Sequence, residues 1–252
     1  MHFIDVGQGD CTFIAESGAT MLVDCGEGEY SDHVANYLSQ LGVSRLDHII
    51  ATHPHSDHMG GMYSIINTFD VGEVIIPHIP DDQLPTTVFY ERFLDSCADS
   101  GVTVSEAAVG REIQLGDAHI VITAPDGSRY DDINNYSVSF LLTHGKNSFL
   151  LTGDAEAESE AAMLKGGRLG KVNLYKAGHH GSAYSSGKEL LDVIRPDIAV
   201  ISCGRENPYG HPAGSTLKRI RKYTKQVFRT DMRGNIIVES DGDTLNVTTE
   251  RS

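Results

Sequence analysis

Residues Thr52-His53-Pro54-His55-Ser56-Asp57-His58 bring three imidazoles and a carboxylate into a very short stretch of chain. Neutral imidazole and carboxylate are ligands that borderline metals such as zinc and manganese accept. The cluster follows an apolar, strand-like run, His48-Ile49-Ile50-Ala51. Side chains alternate along a strand, so His53, His55 and Asp57 leave on one face. A turn at Asp57 lets His58 join them, and Gly60 and Gly61 suit a tight turn that opens a helix. His53 with His55, and Asp57 with His58, then make two ligand pairs for two adjacent divalent ions, Zn2+ or Mn2+. A solvated His-rich loop is the plain alternative, and the spacing together with the upstream strand argues against it.

Two later segments carry compatible chemistry. Asp154 closes the apolar run Leu150-Leu151-Thr152-Gly153 and precedes an acidic, helix-forming stretch. A carboxylate at a strand end can bridge two cations, or it can cap the helix that follows. His179 and His180 come after a further strand and before Gly181-Ser182. Adjacent strand residues point oppositely, so one of the two ligates directly. We assign His179 to the metal and His180 to the substrate or to protonation of the leaving group.

These groups need a frame. Apolar runs separated by turn signals predict strands over 2–6, 10–15 and 20–24, broken at Gly7-Gln8-Gly9 and Ser17-Gly18. Ser31 or Asp32 caps a helix expected over 33–41, with Gly42 ending it. A strand over 47–52 leads into the metal loop, then a helix near 60–67 and a short strand over 74–76. Residues 77–88, rich in Pro and Asp, read as a loop over the site, followed by a helix over 88–99. Strands are expected over 102–104, 112–115 and 118–123. The second half repeats the theme: a hairpin turning at 144–147, a helix over 155–164, a strand over 172–176 and a helix over 184–194. A strand over 198–202, a helix over 214–224 and strands over 226–229, 235–239 and 244–248 complete the chain. Many strands with interspersed helices in two similar halves fit a sheet sandwich covered by helices.

Bulk properties bound the function. The 252 residues suffice for one large α/β domain, taken as residues 1–252, and 40% hydrophobic with 22% charged residues is a globular composition. The net charge is −15, unlike that of tight nucleic-acid binders, which rely on basic patches. The basic residues that do cluster, Lys218 to Lys225, fit a solvated helix face or a rim that guides substrate. No run of about twenty apolar residues is present, so no transmembrane segment is expected. The four cysteines form no Cys-x-x-Cys pair. They leave buried thiols and one bridge equally open.

The histidine-rich loop resembles the His-x-His-x-Asp-His signature of the metallo-β-lactamase fold superfamily. Further motifs narrow the likeness: Gly7-Gln8-Gly9-Asp10, Leu22-Val23-Asp24-Cys25-Gly26, Asn134-Asn135-Tyr136-Ser137, Gly153-Asp154, His179-His180-Gly181-Ser182 and Gly210-His211-Pro212. In this order, over about residues 2–240, they resemble the soluble hydrolase domain of ComEC-type competence proteins and their free-standing relatives. The resemblance implies an α/β fold, the αββα four-layer sandwich, and a dinuclear centre that activates water with Asp57 and Asp154 orienting it. It implies Asp24 as an acid behind a ligating histidine, a role in which Asp5 could share, while Asp10 more simply ties its loop. Asn134 or Asn135 stands where many superfamily members have a further histidine. That leaves one metal position short of a ligand and places Asn134 near substrate. His211 is expected at the substrate mouth, with Ser182 and Thr230 or Asp231 as weaker candidates. The implied substrate is a phosphodiester, either DNA or a small diester such as a phosphocholine ester on an envelope polymer. A β-lactam, lactone or thioester is disfavoured, and so is a binding module with a degenerate site. No obligate protein partner is evident. The resemblance suggests the extracytoplasmic side and a free-standing relative or an excised domain.

Overall fold

The computed structural model describes residues Met1–Ser252. In chain order the strands are β1 (His2–Phe3), β2 (Thr12–Glu16), β3 (Ala19–Val23), β4 (Arg45–Ile50), β5 (Asp70–Ile76), β6 (Thr103–Glu106), β7 (Glu112–Leu115) and β8 (Ala118–Ala124). They continue with β9 (Ser139–His144), β10 (Asn147–Leu151), β11 (Leu174–Lys176), β12 (Ile198–Ile201), β13 (Gln226–Arg229), β14 (Ile236–Ser240) and β15 (Leu245–Thr249). The α-helices are α1 (Ser31–Gln40), α2 (Ser56–Met59), α3 (Met62–Thr68), α4 (Val88–Ser100), α5 (Ala157–Lys165), α6 (Lys188–Ile194), α7 (Gly214–Ile220) and α8 (Thr230–Arg233).

The strands build two sheets, ordered β15-β14-β1-β2-β3-β4-β5-β6 and β13-β12-β11-β10-β9-β8-β7. Each sheet is antiparallel on one side and parallel on the other, the change falling at β3 in the first and β10 in the second. Alternation sorts the side chains. Met21, Val23 and Ile50 of the first sheet meet Phe149, Leu151 and Val200 of the second in the central core. Leu22, Ile49 and Val74 turn outward to Val34, Leu38, Ile65 and Phe93 of α1, α3 and α4. Leu150, Ala199 and Ile201 turn outward to Leu190, Leu191 and Ile194 of α6 and Ile220 of α7. The result is an αββα sandwich.

Several boundaries differ from the sequence reading, each for a local reason. α1 starts at Ser31, whose hydroxyl bonds back to the Gly28 carbonyl (2.9 Å) instead of capping the helix. The helix expected near 60–67 forms as α3 from Met62, and Gly60 and Gly61 separate it from the preceding single turn α2. A Cβ at Gly60 would lie 2.4 Å from the Ser56 carbonyl oxygen, so only glycine fits this joint. Of the helix expected over 184–194, only the part from Lys188 forms. The Glu160 carboxylate accepts from the backbone N–H groups of Ser186 and Gly187, at 2.6 and 2.8 Å, and holds the preceding residues in turns. All four cysteines are free and buried.

Candidate metal centre

The chemistry-bearing side chains follow the carboxyl ends of strands. Asp24 follows β3, His53 to His58 follow β4, Asp154 follows β10, His179 and His180 follow β11, and Ser202 follows β12. β3 and β4 run parallel, as do β10, β11 and β12, so within each sheet these ends share one edge. Ligand sites at the carboxyl ends of parallel strands are a general feature of α/β sheets.

On the first sheet, β4 stops at Ile50 and residues 51–55 are irregular, so the chain turns earlier than strand alternation predicts. Asp57 and His58 stand on the first turn of α2. Nε2 of His53 faces Nδ1 of His55 at 3.0 Å. His58 rests its Nδ1 on the Asp24 carboxylate at 2.7 Å. That carboxylate is itself held by the backbone N–H and hydroxyl of Thr52, at 2.8 and 2.7 Å. An acceptor at Nδ1 fixes the tautomer and directs Nε2 toward a metal.

The second sheet supplies Asp154, whose backbone N–H donates to the Ser137 hydroxyl (3.0 Å). Its carboxylate lies 3.2 Å from His58 Nε2, 3.5 Å from His180 Nε2, 3.7 Å from His179 Nε2 and 4.0 Å from His53 Nε2. It is thus central to both histidine groups. His180 is fully buried, donates Nδ1–H to the Ser202 carbonyl (3.1 Å) and brings Nε2 within 3.1 Å of Asp57. His179 is partly exposed and bonds Glu156 through Nδ1 at 2.9 Å. Both histidines have left-handed backbone, with φ of +47° and +51°. The premise of opposite-facing strand neighbours therefore fails here: His180 turns its Nε2 inward to Asp57 and Asp154, and His179 lines the open cleft.

The residues present fit divalent cations. His58 Nε2 and Asp154 Oδ1 are buried and neither has a hydrogen-bond partner, despite their 3.2 Å separation. A buried imidazole nitrogen and carboxylate oxygen left unpaired are costly unless something binds both. Asp10, His58, Asp154 and His180 form a tight buried group of possible ligand atoms. Asp10, however, lies on the Nδ1 side of both rings, where Asp24 and Ser202 already serve, whereas Asp57 faces His180 Nε2.

Charge is unevenly distributed over this cluster. Burial and neighbouring His58 push the His53 pKa well down. Burial also opposes charge on His58 and His180, but Asp154 with Asp24 and Asp57 outweighs it at His58, and Asp154 with Asp57 at His180, so both are raised. Asp154 is held well below the usual carboxylate range, its burial outweighed by His180, His58 and His53.

Other candidates land differently. Asn135 accepts from the Glu156 and Ser159 backbones and is committed to that turn. The Asn134 side-chain oxygen is buried without a partner, so it lines no open substrate surface. His211 does line the cleft, close against the rings of His179 and Tyr209, and burial and His179 lower its pKa to about 4. Ser182 is buried and accepts from the Tyr184 N–H, a turn contact. Asp5 serves the Gly7 N–H and Arg251 and contacts none of the clustered imidazoles. Thr230 bonds Cys203, and Asp231 pairs with Arg229. The 77–88 loop packs on Arg129, Tyr130 and Tyr136, through Asp82 and Gln83, and sends nothing into the cleft. Sequence reasoning misses Glu156, the partner of His179, although its place two residues after Asp154 is a usable signal.

The centre opens into a cleft of about 280 Å³, polar throughout except for Tyr209. A larger depression of about 1080 Å³ adjoins it at Gln8 but contains none of the histidines that make up the centre.

This arrangement has relatives. The chain is 32% identical to Recombination protein 2 of Haemophilus influenzae over 99% of its length and 30% of that protein's. It is 29% identical to ComE operon protein 3 of Bacillus subtilis, covering 94% of this chain and 32% of that one. It therefore spans about a third of the length of these relatives. The solved metallo-beta-lactamase fold protein YhfI of Bacillus subtilis superposes with a TM-score of 0.56 at 11% identity, over 90% of this chain and 95% of that one, a likeness of fold. Residues 4–205 match the metallo-beta-lactamase superfamily, and the chain belongs to that superfamily of metal-dependent hydrolases.

Proposed function

We propose that the chain hydrolyses phosphodiesters, with DNA as substrate, at a centre for two divalent ions, Zn2+ or Mn2+. His53, His55, Asp154 and the orphaned oxygen of Asn134 would hold one ion. Asp57, His58, Asp154 and His180 would hold the other. Ions in these places would supply Lewis acidity toward a phosphoryl oxygen and a water acidified to a pKa of about 7. Asp57, at the cleft floor, orients the attacking water. His179, tied to Glu156 through Nδ1 and open to the cleft through Nε2, donates the proton that the leaving oxygen needs.

The observation that carries this reading is a convergent His and carboxylate set at the base of a cleft whose one hydrophobic residue is Tyr209. Acyl substrates such as β-lactams or thioesters are held largely by hydrophobic and aromatic side chains, of which this cleft offers only Tyr209. The names of the two relatives, one a recombination protein, favour DNA over other diesters. The surface is acidic overall, so DNA affinity should be modest and salt-sensitive. Arg219 is not part of a guiding rim, because its guanidinium is spent on the carbonyls of Ala183, Ser185 and Ser186. Lys218, Arg221 and Lys222 remain for that task.

A metal-reconstituted panel tests the proposal. Linear DNA and bis-p-nitrophenyl phosphate should be cleaved and nitrocefin left intact. Cleavage of a phosphocholine diester without any cleavage of DNA under zinc, manganese or magnesium would replace the DNA reading with that of an envelope esterase.

A further inference from the structure

Lys176 is the one lysine or arginine among the buried residues. It ends β11, two positions beyond Leu174, which belongs to the core between the sheets. Alternation therefore turns Lys176 into the space between the sheets, where an apolar side chain would be the cheaper choice. There its ammonium pairs with Oδ2 of Asp10, which is equally buried. An isolated buried pair of this kind is often no more stabilising than apolar residues of the same volume. Its position is therefore the informative property.

Asp10 ends the Gly7-Gln8-Gly9-Asp10 turn and is locked to the ligand loop. Its N–H donates to the Asp57 carbonyl (3.0 Å), and its own carbonyl accepts from Gly26 (2.8 Å). A Cβ on Gly9 would stand 2.4 Å from that same Asp57 oxygen, so the turn must approach this closely through glycine. The Asp10 carboxylate sits 4.0 Å from His58 Nδ1 and 3.9 Å from His180 Nδ1, and its Oδ1 has no hydrogen-bond partner. One ligand atom from each of Asp10, His58, Asp154 and His180 can be chosen so that all lie within 4.8 Å of one another. The Asp10 carboxylate thus packs against both imidazoles on their Nδ1 side, among possible ligand atoms, and the Lys176 ammonium fixes one of its oxygens there.

We propose that Lys176 is a positioning residue that keeps the Asp10 carboxylate out of the coordination sphere of a divalent ion. It thereby reserves the His58/His180 position for Asp57 and Asp154. Without the ammonium, the buried carboxylate turns toward the cation and adds a ligand. The inference rests on the metal assignment proposed above.

The test is the electronic absorption spectrum of the Co2+-loaded protein, which reports coordination number, together with the rate of Co2+ loss to a chelator. Lys176→Met should move the spectrum toward higher coordination and slow metal loss about tenfold, a change of the size that rearranging the groups around a metal produces. The double variant Lys176→Met/Asp10→Asn, which removes the competing carboxylate, should return both readouts to the parent's, and Lys176→Arg should never leave them. If Lys176→Met does not fold, Lys176→Gln, whose side chain is shorter and uncharged, gives the same reading. A folded Lys176→Met or Lys176→Gln protein with the parent spectrum, or a double variant that stays altered, overturns the inference. Failure of the parent itself to bind Co2+ would instead overturn the metal assignment.

Discussion

His58 and His180 rest their Nδ1 atoms on a carboxylate and a backbone carbonyl, whereas His53 rests its own on two hydroxyls, Thr52 at 3.2 Å and Ser137 at 3.3 Å. The position formed by His58, His180 and Asp57 thus has each imidazole backed by a strong, fixed acceptor. The position formed by His53 and His55 has weaker backing, a half-buried second histidine and an amide where a third imidazole could stand. Hydroxyls rotate and can donate or accept, so they leave the His53 tautomer free. A carboxylate or a carbonyl leaves it no choice. On the proposed assignment, the first position should retain its ion more tightly than the second.

Removing His180 should break this contrast most severely. His180→Ala is expected to lose the tightly held ion, with affinity falling by more than about 100-fold, since losing a ligand costs more than losing the group behind one. His179→Ala should keep both ions and lose about 100-fold in kcat, as expected for a missing proton donor. Metal content and kcat measured on the two variants test this division of roles, and equal metal loss in both would refute it. Replacing His53 and His55 together by alanine should abolish hydrolysis while leaving one ion per chain. Release of both ions would mean that the positions are not separable.

Smaller changes sharpen the comparison. Asp24→Asn should weaken only the His58 position, by about 10–100-fold in metal affinity, in a competition assay against a fluorescent chelator. Asn134→His should do the opposite at the weaker position and slow zinc loss roughly tenfold by supplying a missing imidazole. No change in a folded variant would place Asn134 away from the ions.

The smallest effect on turnover is expected from Glu160, whose carboxylate holds the turn after His180. Burial pushes its pKa up to about 7, against the opposing N–H groups of Gly187 and Ser186. The folded state therefore keeps a proton that the unfolded chain releases near the ordinary glutamate value of 4.5. Stability should fall as pH rises from about 4.5 to about 7, by about 1.4 kcal/mol for each pH unit in that window. Urea midpoints for the parent should follow that slope, and Glu160→Gln should lack it.

Much of this molecule is legible in its sequence. The alternation in Met21-Leu22-Val23 and Phe149-Leu150-Leu151 places neighbours on opposite faces, and the structure divides them between the central and outer cores. The histidine loop can be read from local spacing, whereas the αββα sandwich follows from the family resemblance, because periodicity alone does not choose it over another α/β layout. The roles of His179 and His180 cannot be read from spacing, because strand logic assumes extended backbone and both residues adopt positive φ. Asp5 sits beside a recognisable motif, yet which way its side chain points depends on a distant partner, Arg251. The pairing of Asp10 with Lys176 joins residues far apart in sequence, and no local pattern announces it.

Asp57 and His58 descend from the first sheet, Asp154 and His180 from the second. A single ion gripped by all four would therefore be a removable rivet between halves that otherwise meet mostly through apolar side chains. Such a rivet exists only in the folded chain, and at a free concentration one hundred times its Kd it would add about 2.7 kcal/mol to stability. Chelation should then lower the melting temperature of the whole sandwich and hasten proteolysis at loops far from the cleft, so that metal supply governs the lifetime of the protein as well as its turnover.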